Sequence, residues 1–234
     1  NLPGFNTTLS KYIGIKTSDL SQAEKNYFKH QTDLFKVDSE RNKQVSIQFA
    51  NGDIKELSKT DRSGRSTNVF TFELNTMNQL KLSNEHIPFI LHSRKDIQSY
   101  ALFSPDNGYL IVSDIDDTIK DSSVLDTKAL LRNTFLHAPK AAYGMPERFQ
   151  KLKESLNNPL FVYVSSSPIQ LFPTLTSFID EHYPKGIIKL RQSTAWNEVI
   201  ASKEDSIAHK KSTISQLLNA YPNKKVILFG DSGE

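Results

Sequence analysis

From Tyr109 onward, short apolar runs alternate with amphipathic stretches long enough for a helix, and no other feature restricts the fold as much. The runs are YLIVS at 109 to 113, FVYVS at 161 to 165, GIIKL at 186 to 190 and KVILFG at 225 to 230. Helices are expected between them, at about 124 to 136, 146 to 157, 168 to 182 and 205 to 220. Such alternation builds βαβ units around a parallel sheet. Sites in open sheets of this kind lie beyond the carboxyl ends of the strands. DIDDT, SSSP and GDSGE each follow a strand directly, so all three are expected on one edge of the sheet.

The first hundred residues read differently. A helix is expected near 19 to 35, opened by a capping box of Ser21 and Glu24. Strand-like alternation then runs from 44 to 103. VSIQFA puts Val45, Ile47 and Phe49 on one face, Asn51-Gly52 offers a hairpin turn, and VFTFEL puts Phe70, Phe72 and Leu74 on one face. IPFIL and IQSYALF are two further candidate strands, and SKTDRSGRSTN is the longest loop. The expected organisation is therefore a β-rich module with one helix over 1 to 103, followed by an α/β domain over 104 to 234.

Composition removes several classes of function. The longest apolar runs are five to six residues, far short of the ~20 that a spanning helix needs, so a chain that is soluble or peripheral to a membrane is expected. Lys plus Arg exceed Asp plus Glu by only 29 to 26 and the charges are interspersed, which is no nucleic-acid footprint. Cysteine is absent, and with it disulfides, thiolate metal sites and cysteine nucleophiles.

DIDDT raises a chemical question, because Asp114 and Asp116 are two apart and in extended backbone leave the chain on the same side. Two converging carboxylates repel unless a cation bridges them or one is held protonated. A hard ion with oxygen ligands, Mg²⁺ by preference, resolves the conflict; a solvated acidic loop or an Asx turn is the plainer alternative. Ser165, Ser166 and Ser167 precede Pro168 as in the first turn of a helix, where hydroxyls and free N–H groups form an anion cradle, or simply a helix cap. Lys210 falls in a helix whose apolar face reads Ile207, Ile214, Leu217 and Leu218, and Asp231 returns a carboxylate at another strand end. Taken alone, Lys210 is a solvated surface lysine. Four elements delivering an Asp pair, Ser, Lys and Asp in that order point instead to one site.

That order is the signature of the haloacid dehalogenase superfamily of phosphotransferases. SDIDDTIK, LRNTFL, FVYVSSSP, HK and FGDSGE, at these separations, resemble the catalytic domain of the actin-patch-associated phosphatidate phosphatases, relatives of the lipins, over about residues 100 to 234. The resemblance implies a haloacid-dehalogenase-like Rossmannoid parallel sheet preceded by a smaller β-rich domain. It implies Asp114 as the nucleophile that takes up the phosphoryl group, and Asp116 as general acid and base. It implies Ser165 and Lys210 as holders of the phosphoryl oxygens, with Ser166 beside them and Thr118 supporting the loop. Mg²⁺ is the implied cofactor, held by Asp114, Asp231 and the main-chain carbonyl of Asp116. The implied reaction is Mg²⁺-dependent hydrolysis of phosphatidic acid to diacylglycerol and phosphate at a bilayer surface, through an aspartyl phosphate.

Only some 40 to 50 residues separate successive motifs, so no large cap domain is expected to close over the site. The segment PIQLFPTLTSF, which could touch lipid, has the spacing of an ordinary buried helix face. A phosphatase acting on a soluble phosphomonoester, and a non-catalytic protein whose β-rich half binds a partner, are the competing readings. Both carboxylates together with Lys210 argue against the second of these. Two further expectations concern the chain's extent. No motif residue precedes Asp114, so the N-terminal module is expected to be dispensable for hydrolysing a small ester. The family motif places another acidic residue beyond GDSGE, for which Glu234 comes a position early, so the domain is expected to be truncated at its C-terminus.

Overall fold

The computed structural model describes residues 4–36, 39–80, 86–122, 126–192 and 202–231. Along the chain come α1 (Phe5–Ile13), α2 (Gln22–Asp33), β1 (Ser46–Phe49), β2 (Ile54–Glu56), α3 (Leu74–Leu80), β3 (His86–Leu91) and β4 (Arg94–Leu102). Then follow β5 (Tyr109–Asp114), β6 (Lys120–Asp121), α4 (Thr127–Leu136), β7 (Lys140–Ala141), α5 (Met145–Ser155), β8 (Leu160–Pro168), α6 (Phe172–His182), β9 (Ile187–Arg191), α7 (Lys203–Ala220) and β10 (Lys225–Phe229). These elements form two units, one of Asn1–Val37 with Asp106–Glu234 and one of Asp38–Pro105.

The larger unit is built on a parallel sheet in the order β10-β5-β8-β9. Leu110, Ile111 and Val112 of β5 and Leu160 to Val164 of β8 are all buried, as central parallel strands covered on both faces must be. The register pairs Asp114 with Val164 and Phe229 with Ser113, which brings Asp114, Ser165 and the Gly230-Asp231 turn to the same edge. Pro173 is the second residue of α6, after a single tight turn over Ile169–Leu171, so it starts the helix late instead of kinking it. The helix face it opens, Leu175, Phe178 and Ile179, is buried in the core, as its spacing suggested.

The domain boundary needs a correction. α1 and α2 do not belong to the β-rich module: Phe5, Leu9, Ile13, Phe28 and Phe35 share one apolar core with Phe135, Phe149, Phe161 and Tyr163. Phe5, Phe35 and Phe135 form an aromatic triangle with ring centroids 5.6 to 6.3 Å apart. The capping box at the start of α2 is formed, with Ser21 N donating to Glu24 Oε2 at 2.8 Å and Glu24 N to Ser21 Oγ at 3.3 Å. In sequence, then, the β-rich unit is inserted into the α/β unit and does not precede it. A fragment starting near residue 104 would lack five buried side chains of its own core.

The smaller unit is an antiparallel sheet in the order β2-β1-β3-β4. The β1–β2 hairpin turns at Asn51-Gly52, where Gly52 has the positive φ of 89° that glycine tolerates and Asn51 Oδ1 accepts from the Asp53 N–H at 3.0 Å. Phe49, Leu80 and Ile87 are its buried core. VFTFEL is not a strand: Phe72 packs edge-on against Phe49 at 5.4 Å, while Leu74 is exposed and begins α3. A period of two was present, but of its three positions Phe72 alone packs on the core of this unit.

Removing the Phe35 ring should lower the unfolding free energy of the α/β unit by about 3–5 kcal/mol, the usual cost of a buried Phe→Ala change. Tyr12→Ala, on an α1 residue that is 51% exposed, should change it by less than about 0.5 kcal/mol. Urea denaturation followed by circular dichroism distinguishes the two, and equal effects would mean that the N-terminal helices are not part of this core.

Candidate active site

The chain turns sharply where β5 ends. The Ile115 carbonyl accepts from the N–H groups of Ile119 at 3.0 Å and Lys120 at 2.9 Å, and from Thr118 N–H at 3.4 Å. Asp117 takes a φ of 54°, a left-handed conformation that Asp tolerates better than most residues, and its Oδ1 accepts from Ser122 N–H at 2.7 Å. This tight turn folds Lys120, four residues on, back against Asp116.

The two carboxylates therefore acquire different partners. Asp116 faces Lys120 Nζ at 2.7 Å and accepts from Ser122 Oγ at 2.8 Å, Ser165 Oγ at 2.7 Å and Ser167 Oγ at 3.2 Å. Burial pushes its carboxyl up, but the Lys120 ammonium and the hydroxyls outweigh it and hold the group down at about 2. Asp114, whose side chain is 9% exposed, pairs with Lys210 Nζ at 3.0 Å. Here burial wins: the carboxyl is pushed up to about 6, with Lys210 opposing and the Asp116 charge adding to the rise. Asp114 Oδ1 has no hydrogen bond of good geometry beyond that ion pair.

Lys210 reaches Asp114 because it lies on the face of α7 that carries Ser206, Thr213 and Leu217, the buried residues of that helix. The apolar face expected from the sequence is offset from this one, and Leu218 is exposed. Asp114, Lys210 and Asp231 line one cleft of about 220 Å³ whose remaining walls are mostly apolar, among them Val112, Val164 and Ile214.

Of the other expected site residues, Ser165 is fully buried and joined to Asp116. Thr118 Oγ1 makes a long 3.5 Å contact to Asp114 Oδ2. The Ser166 hydroxyl is taken up by Ser206 of α7 at 2.5 Å, and its carbonyl accepts from Arg191 Nε at 3.1 Å. The serine run is extended, not the first turn of a helix: β8 continues through Pro168, and Ser167 N–H donates to Ser165 Oγ at 2.9 Å. Ser232, Gly233 and Glu234 lie outside the described residues.

Lys120 and Ser122 are the residues that the sequence reading missed. The only signal was the four-residue spacing from Asp116 to Lys120, which brings two side chains together only once a helical turn is formed.

A hard cation fits this oxygen set. Asp114 offers a buried oxygen paired with the Lys210 ammonium, and Asp231 lines the same cleft. The Asp116 carboxylate is turned to Lys120, so its main-chain carbonyl is the donor left to it. Among the described residues, no three carboxylate or imidazole side chains gather as a metal cluster.

Lys120→Met should lower stability by about 3–5 kcal/mol at pH 7, because it strands the buried Asp116 carboxylate without its cation. The folded-state pKa of Asp116 lies below the unfolded value of about 3.9, so its stabilising contribution is present above that pH and lost as pH falls towards 2. The gap between variant and wild type in urea titrations should accordingly narrow on acidification. A constant gap would mean that Lys120 acts by packing alone.

The family described as "Phosphatidate phosphatase APP1, catalytic domain" matches residues 109–234, just over half of the chain. The chain is 38% identical over 130 residues to the Phosphatidate phosphatase APP1 of Saccharomyces cerevisiae, a match covering 54% of this chain and 22% of that protein. It is 34% identical over 134 residues to an uncharacterized protein of Schizosaccharomyces pombe, covering 55% of this chain and 21% of that protein. The matched stretch thus spans about a fifth of the length of these curated relatives. It begins at the strand that carries Asp114 and includes every expected site residue, and on that match the chain belongs to the family of phosphatidate phosphatase APP1 catalytic domains.

Proposed function

We propose that the chain is the catalytic part of a Mg²⁺-dependent phosphatase that hydrolyses phosphatidic acid at a membrane surface to diacylglycerol and phosphate. The observation that carries this reading is Asp114: a carboxylate buried at a central strand end, 3.0 Å from the Lys210 ammonium and on one cleft with Asp231. The family match and the name of the yeast relative supply the substrate. No helix among the described residues is long and apolar enough to cross a membrane.

In the first step an Asp114 oxygen attacks phosphorus. The bond from phosphorus to the alkoxide oxygen breaks, an aspartyl phosphate forms, and Asp116 gives the departing alkoxide its proton. In the second step water attacks phosphorus, Asp116 takes up the proton, and phosphate leaves with Asp114 regenerated. Lys210 neutralises phosphoryl oxygens in both steps, in keeping with a reaction that needs positioning and charge compensation above all. Asp114, Asp231 and the Asp116 main-chain carbonyl would hold Mg²⁺, which when bound supplies further charge neutralisation at the phosphoryl oxygens.

The Lys120 ammonium and the surrounding hydroxyls favour the ionised form of Asp116, the form required of the base in the second step. Acting as the acid requires a proton first, and the approach of a phosphate dianion raises the affinity of a neighbouring carboxylate for one.

Phosphate release from phosphatidate in mixed micelles, measured beside a panel of soluble phosphate esters, tests the substrate. Preference for phosphatidate is expected, and preference for a soluble ester would move the assignment to a soluble phosphomonoester. Asp114→Asn should abolish turnover while preserving the circular dichroism spectrum, and substantial residual activity would exclude Asp114 as the nucleophile. A chelator should abolish activity and added Mg²⁺ restore it; chelator-resistant turnover would exclude the metal.

A further inference from the structure

A second cavity, of about 130 Å³, lies within the α/β unit and shares no lining residue with the Asp114 cleft. Lys120 and Ser167 line it, and both also touch the Asp116 carboxylate, at 2.7 and 3.2 Å. Its far wall comes from α2, and Asn133 of α4 contributes to it as well. Its lining is mixed: Pro139, Leu171 and Leu175 stand beside the polar groups, and His137 and Lys140 at its rim are exposed. Gln31 is 1% exposed, and among the described residues its amide meets only the Thr174 hydroxyl, at 2.9 Å from Nε2 and 3.1 Å from Oε1, which leaves two of the four hydrogen-bonding positions of an amide unused. Asn133 Nδ2 makes one 3.3 Å contact to the Ser122 carbonyl. The Tyr27 hydroxyl oxygen is buried with no hydrogen-bond partner, although burying an unsatisfied polar group costs about 1–3 kcal/mol.

Resting on the reading above, we infer that this cavity receives the oxygen-bearing glycerol part of the leaving alcohol, and that Tyr27 and Gln31 determine specificity for it. The bond that breaks joins phosphorus to the alkoxide oxygen, and that oxygen takes its proton from Asp116, so the alcohol must lie on the Asp116 side. Lys120 and Ser167 join the cavity to that carboxylate, lining the one and touching the other. Its size is close to the ~150 Å³ that holds one benzene ring, enough for a glycerol-sized group and far too small for two acyl chains, which would stay outside in the lipid. Hydroxyl and amide donors at its wall suit the ester and ether oxygens of a glycerol backbone.

The test compares kcat/KM for dihexanoyl phosphatidate and for methyl phosphate, which lacks the glycerol, in the wild-type chain and in Tyr27→Phe and Gln31→Leu. Tyr27→Phe removes only a hydroxyl with no protein partner, so its melting temperature should not fall. The ratio of the two kcat/KM values should drop about tenfold in each variant, the effect of losing one hydrogen bond to the alcohol. An unchanged ratio in an active, folded Tyr27→Phe chain, or an equal loss on both esters, overturns the inference and leaves the phosphatase reading standing. Failure of the wild-type chain to release phosphate from either ester, with Mg²⁺ present, overturns both.

Discussion

Two carboxylates two residues apart are buried at the end of one strand, and the rest of the site follows from how their charges are compensated. An unpaired buried charge costs several kcal/mol, and two of like sign cost more. Each carboxylate has its own lysine. Lys210 comes to Asp114 from a helix nearly a hundred residues away in sequence, and Lys120 comes to Asp116 from the turn immediately after it. The environments then diverge: the hydroxyls that surround Asp116 favour its ionised form, while Asp114 has fewer partners and burial raises its pKa. Neighbouring titratable groups held in such different surroundings are what a reaction needs when one of them acts as nucleophile and the other as acid and base.

The fold supplies this arrangement with few elements. Parallel pairing of β10, β5 and β8 fixes which residues meet at the edge of the sheet, and the left-handed Asp117 turns the chain within four residues of it. Among the described residues between β6 and β7, α4 is the one helix, and α1 and α2 contribute to the apolar core beside it. Residues far ahead of the motifs thus help to build the surroundings of the site. A chain cut down to its motif-bearing stretch would lose Phe5, Phe28 and Phe35 from its core, and Tyr27 and Gln31 from the cavity beside Asp116.

The four parallel strands and their edge were legible because central parallel strands must be apolar along their whole length, and short runs such as YLIVS are seldom anything else when helix-length segments separate them. That Asp114, Lys210 and Asp231 meet on one cleft, with Ser165 beside Asp116, was legible through their places after the strands and on the last helix. The role of the first 37 residues was not, since the amphipathic pattern of α2 tells that it packs but not against what. Leu74 was misread because alternation records a possible face, while only tertiary contact decides whether that face is filled. The Asp116–Lys120 pair escaped because its geometry depends on a tight turn created by Asp117, a conformation that a single sequence hardly signals. The serine run was placed in a helix because Pro168 suits a first turn, but pairing with β9 keeps it extended through Ser165 and on to Pro168.

The central claim is that phosphorus becomes bonded to Asp114 during turnover. Mixing the chain with a short-chain phosphatidate and Mg²⁺, quenching in acid at successive times within the first turnover, and mapping the phosphoryl group by peptide mass spectrometry tests it directly. The account predicts an acid-stable adduct on the peptide containing Asp114, localised to that carboxylate and appearing before free phosphate. An adduct on any other residue, or phosphate release that no adduct precedes, would contradict it.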